Sequence, residues 1–89
     1  MRLNGNQIFE IKKLAEAAAE EFVSEFGEPL NSSKTDWDAV AWDNDARKLP
    51  FRHVLRANND LATEAWEVYR RTLVAETKAR TGGLGLLTI

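Results

Sequence analysis

The sequence predicts an all-α fold: a small bundle of three to four helices with a long central C-terminal helix and an apolar C-terminal tail. Three observations predict it. Apolar residues recur with helical period over two long stretches, 7–26 and 60–80. Both stretches are bounded by residues that start and stop helices. The second is apolar over so wide an arc that it is expected to be contacted from two sides.

The first helix is predicted over 6–26. Asn4 followed three residues later by Gln7 fits a capping box, with Gly5 easing the entry. Ile8, Ile11, Leu14, Ala15, Ala18, Ala19, Phe22, Val23 and Phe26 then share a face. Gly27 and Pro29 follow in the order expected of a helix end. Phe22, Val23 and Phe26 are expected to bury against Trp66 or Tyr69.

Leu30–Lys34 reads as a polar loop. A second helix is predicted over 35–47, capped by Thr35, with Asp36 and Asp38 placed well for the helix dipole. Trp37 and Trp42 fall on different faces, so one is expected to be packed and the other peripheral. Pro50 suits the first turn of a short helix over 50–58, which carries Phe51, Val54 and Leu55. The long helix is predicted over 60–81, capped by Asn59 or Asp60 and ended by a left-handed turn at Gly82–Gly83. Lys78 and Arg80 would then occupy its last turn. Leu61, Ala65, Val68, Thr72, Ala75 and Ala79 form one stripe, with Ala62, Trp66, Tyr69 and Leu73 beside it. The tail from Leu84 to Ile89 is expected to fold back into a groove between helices. The expected core is Ile8, Ile11, Leu14, Phe22, Phe26, Trp37, Val40, Val54, Leu55, Leu61, Ala65, Trp66, Tyr69 and Leu73.

A chain of 89 residues supports one modest core, so a single domain is expected over 1–89. Hydrophobic content of 44% and charged content of 29% belong to the globular class. There is no cysteine, hence neither a disulfide framework nor a thiolate metal site. No apolar run approaches the roughly 20 residues that span a bilayer, and the N-terminus lacks a signal-peptide core. The expectation is a soluble cytoplasmic protein without membrane contact.

The net charge of −2 conceals a division of sign. Residues 1–45 carry ten acidic and four basic side chains, a balance of −6. Residues 46–89 carry eight basic and four acidic ones, a balance of +4. On the first helix, Glu16/Glu20 and Glu21/Glu25 are like-charge pairs one turn apart, and the last of them approach the negative helix end. The plain reading is a solvated acidic face; the sharper one is a surface for a basic partner, which would relieve both conflicts.

Candidate chemistry is sparse. His53 is the one histidine, flanked by Arg52 and Arg56, and helical spacing fixes no nucleophile or carboxylate beside it. Asp36-x-Asp38 and Asp43-Asn44-Asp45 invite a calcium reading, which needs glycine at loop position six and glutamate at twelve. Counted from Asp43 those positions hold Lys48 and Val54; counted from Asp36 they hold Ala41 and Arg47. Gly82-Gly83-Leu84-Gly85 lacks the lysine and following helix of a phosphate-binding loop. No enzyme, cofactor or metal is expected.

Two surfaces remain. Glu16, Glu20, Glu21, Glu25, Asp36 and Asp38 are the expected partner-binding residues of a non-enzymatic protein–protein interaction module. Its expected mode is to dock an acidic face on the basic groove of a nucleic-acid-handling protein, as a small inhibitor or adaptor of the phage or mobile-element type. Arg47, Lys48, Arg52 and Arg56 offer the alternative, a nucleic-acid-binding module, against which the acidic pI of about 5.4 argues. A third reading is a self-associating structural protein, with acidic half on basic half closing a homodimer. The arginines are otherwise expected to pair within the fold, with carboxylates of the first helix.

Overall fold

The structure, a computed structural model, describes residues 2–30 and 35–87, with side chains through Thr81 except that of Thr35. It contains four helices and, among the described residues, no strand: α1 (Gly5–Phe26), α2 (Thr35–Ala46), α3 (Arg52–Ala57) and α4 (Asn59–Leu87).

Helix α1 begins as its sequence dictates. Asn4 Oδ1 accepts from the Gln7 N–H at 2.8 Å, and Gln7 Oε1 accepts from the Asn4 N–H at 2.9 Å. It ends at Gly27, whose φ of 68° is left-handed and whose N–H donates to the Val23 carbonyl at 2.7 Å. A methyl group at Gly27 would meet nothing within 4 Å, so only the backbone conformation calls for glycine there.

Helix α4 is capped one residue earlier than the sequence suggested. Asn58, not Asn59 or Asp60, supplies the cap: its Oδ1 accepts from the N–H groups of Asp60 and Leu61 at 3.0 and 3.2 Å. At the other end the left-handed turn expected at Gly82–Gly83 does not form, and the helix continues to Leu87. Glycine permits a left-handed turn without enforcing one, and its cost inside a helix is only about 1 kcal/mol. Lys78 and Arg80 therefore sit inside the helix, not in its last turn. The expected packing of the tail lies outside the described residues, beyond the helical backbone to Leu87.

The principal packing pair is α1 with α4. Ile11, Ala15, Ala18, Ala19 and Phe22 of α1 meet Leu61, Ala65, Tyr69 and Leu73 of α4 in the buried core. Alanines on α1 and at position 65 let the two backbones approach closely. On α4 the buried residues step by four, ending at Thr77, whereas Ala75 and Ala79 are exposed. Each step of four turns the stripe about 40° round the helix, so it winds off the straight face read from the sequence.

Two contacts fix the direction of the pair. Ahead of α1, the buried Leu3 donates its N–H to Glu64 Oε1 at 3.1 Å. Beyond α1, the buried Leu30 donates its N–H to Thr77 Oγ1 at 3.0 Å, and the Thr77 hydroxyl donates to the Val74 carbonyl. The residue ahead of α1 thus meets the early part of α4 and the residue beyond α1 meets a point further along it, so α1 and α4 run parallel. Helix α2 returns between these points, and α3 packs on α4. A 29-residue helix is about 43 Å long, which accounts for the 47 Å long dimension of the molecule.

Several core expectations are corrected. Val40 is 61% exposed and Phe26 38% exposed, while Leu3, Leu30 and Leu49 are buried. Leu30, read as part of a polar loop, is thus a core residue. Phe22 stacks its ring edge-on against Trp37 at 4.9 Å between ring centres and against Phe26 at 4.7 Å, within the same core that holds Tyr69. Trp66 and Tyr69 take Trp42, at 6.4 and 4.9 Å. Both tryptophans of α2 are therefore packed, one in each of two aromatic groups.

Candidate interaction surfaces

Helix α1 presents Glu16, Glu20, Glu21 and Glu25 to solvent, and Asp36 is exposed at the start of α2. They do not form one face. At about 100° per residue, Glu16 and Glu20 share an outward ridge set to one side of the direction away from the core, whereas Glu21 and Glu25 lie on the other side. Glu21 lines an open groove between α1 and α2 of about 600 Å³, floored by Leu14, Ala17, Ala18 and Trp37.

Asp38 does not belong to this surface. It is 3% exposed and accepts from Arg70 Nε at 2.9 Å, so it holds α2 on α4. The sequence missed this because the partners lie 32 positions apart. Asp45 has a comparable role. The buried Tyr69 hydroxyl donates to Asp45 Oδ2 at 2.7 Å, and Lys48 Nζ meets Asp45 Oδ1 at 3.2 Å. Burial pushes the Tyr69 phenol well above its ordinary value, and the hydrogen bond and charge of Asp45 push it further, with smaller contributions from Glu21 and Asp38. The phenol therefore remains a donor.

The arginines do not answer the α1 glutamates, contrary to expectation. Their partners lie elsewhere: Arg2 with Glu64, Arg47 with Asp43, Arg70 with Asp38, and Arg80 with Glu76. Among the described residues, no ion pair includes Glu16, Glu20, Glu21 or Glu25. Charges three or four residues apart meet before distant ones do, so Asp43 and Asp45 claim Arg47 and Lys48.

The basic cluster is divided in the same way. Arg47 and Lys48 are engaged locally, whereas Arg52 and Arg56 are exposed and have no ion-pair partner among the described residues. With Arg47 they edge a second open groove, about 850 Å³, between α2, α3 and the start of α4. Trp42, Ala46, Leu55 and Ala62 form its apolar lining. His53 is exposed nearby.

Phe9 is a residue that the periodicity passed over. It is 59% exposed, with Lys13 Nζ 5.4 Å from its ring centre. It shares the outer crest of α1 with Glu16 and Glu20. An aromatic residue well outside the apolar face was the signal that could have found it.

Among the described residues, no group of three or more His, Cys, Asp or Glu is placed to hold a metal ion, and no helix is long and apolar enough to cross a membrane. No family model matches the chain, and neither a curated protein nor a solved structure is significantly similar to it.

Proposed function

We propose that this chain is a non-enzymatic protein-interaction module that docks the acidic surface of α1 on a basic partner. The observation that carries the reading is that, among the described residues, four exposed glutamates of one helix have no ion-pair partner, while the arginines are paired elsewhere or stand apart. Like charges at helical spacing repel by a few tenths of a kcal/mol per pair, and a positively charged partner turns that cost into attraction. Glu16, Glu20, Glu21, Glu25 and Asp36 are the contact residues in this reading; Asp38, buried on Arg70, is not. A nucleic-acid-handling protein, whose own basic groove would be occluded, is the partner class that fits, in the manner of a small inhibitor or adaptor.

The test is capture by the native protein and by E20K/E21K/E25K, with helicity and melting temperature measured on both. The expected result is loss of capture by the variant with an unchanged fold. Capture that survives charge reversal overturns the reading.

A nucleic-acid-binding reading retains one supporting observation: Arg52 and Arg56 have no ion-pair partner among the described residues and stand beside an apolar groove. It requires retention of DNA or RNA at about 50 mM salt that falls steeply by about 200 mM. The interaction-module reading requires no retention at either.

A further inference from the structure

We infer that the basic groove between α2, α3 and α4 receives the outer crest of α1 from a second copy of this chain. The inference rests on the acidic-surface reading and names one occupant for the opposite surface.

Both halves of the contact are on one molecule. The groove offers two free guanidinium groups, Arg52 and Arg56, above an apolar lining that includes Trp42 and Leu55. The crest offers two free carboxylates, Glu16 and Glu20, in line with the exposed ring of Phe9. The charged pairs match in spacing, because each consists of residues four apart on a helix, about 6 Å between Cβ atoms. The shapes match as well, since one side is a convex helix ridge and the other an open groove of about 850 Å³. An apolar residue on the ridge and an apolar lining in the groove give the contact a component that salt does not screen.

Among the described residues, no ion pair answers Arg52, Arg56, Glu16 or Glu20. Arg47, at the groove edge, is taken by Asp43, and Lys13, on the ridge, leans over Phe9. Made twice about a two-fold axis, ridge into groove closes an isologous dimer; made once per pair it is heterologous and closes a ring or extends as a chain.

Light scattering on the purified full-length protein tests this at about 0.2 mM protein, in ~20 mM and ~1 M salt. The expected mass exceeds the 10.0 kDa of one chain at low salt and falls toward it at high salt. E16K/E20K is expected to raise the dissociation constant at least tenfold, and so is R52E/R56E. R52Q/R56Q is the milder variant should reversed charges loosen the short α3. Phe9→Ala is expected to weaken association at both salts. The chain carrying E16K/E20K/R52E/R56E restores complementarity, and with it association. A monomeric mass at every salt overturns the inference, and so does a fourfold variant no better than its halves.

The two readings fail separately. A protein that stays monomeric yet loses partner capture on glutamate reversal keeps its proposed function and loses only the self-contact. A protein that self-associates through the groove but captures its partner regardless of α1 charge keeps the self-contact alone.

Discussion

At the scale of single residues, two buried polar contacts hold α2 in place, and each carries a distinct signature. Asp38 is almost fully buried against Arg70, so removing the guanidinium leaves a carboxylate in apolar surroundings. Arg70→Ala is expected to lower unfolding free energy by about 2 kcal/mol in urea titration, reduced from the fully buried case because Arg70 is half exposed. Adding Asp38→Asn is expected to recover part of that loss, the mark of a coupled pair. Tyr69 is the one tyrosine, so its titration can be followed alone by tyrosinate absorbance. Its phenol is raised in the fold, first by burial and then by Asp45. A group whose folded pKa is raised contributes stability that is complete below its unfolded value, about 10 for tyrosine, and is lost as pH climbs above it. Tyrosinate is therefore expected to appear only together with alkaline unfolding, and Tyr69→Phe is expected to flatten the pH dependence above 10. Absorbance rising near pH 10 with helicity intact would contradict the buried hydrogen bond.

At the scale of elements, local chemistry was legible where it acts over three or four residues. The Asn4–Gln7 box, the left-handed Gly27 and the apolar face of α1 were all readable because spacing alone determines them. Leu3, Leu30 and Leu49 were not readable, since an isolated apolar residue outside a helix carries no period. Thr77 was not either: it is buried because its hydroxyl receives the Leu30 N–H from 47 positions away. The Asn58 cap was misplaced by one position, because Asn58, Asn59 and Asp60 are all competent caps and the backbone selects among them. Asn58→Ala is expected to cost about 1 kcal/mol by urea midpoint, with Asn59→Ala nearly silent. The end of α4 gives the sharpest test of an element. If the helix passes through Gly82 and Gly83, alanine at both is expected to raise helicity by circular dichroism and to stabilise by up to about 1 kcal/mol. Lower helicity would mean that one of them holds a left-handed turn after all.

At the scale of the whole molecule, charge stays segregated because the ion pairs among the described residues form between groups other than the α1 glutamates. Asp43, Asp45 and Glu76 take cations three or four residues away, and Asp38 and Glu64 take Arg70 and Arg2 across the fold. The α1 glutamates keep their charge facing outward. The imbalance between halves was visible in the sequence, but the expectation of neutralisation within the fold was not met, because spacing cannot say which arginine faces which helix. The most direct measurement is the urea midpoint of Glu16/Glu20/Glu21/Glu25→Gln beside the native protein, at low salt. If these carboxylates are unanswered within the chain, removing four negative charges relieves repulsion, so the midpoint is expected to hold or rise. A fall equivalent to more than about 1 kcal/mol would mean that they are partners inside the fold, and the outward acidic surface would be lost with them.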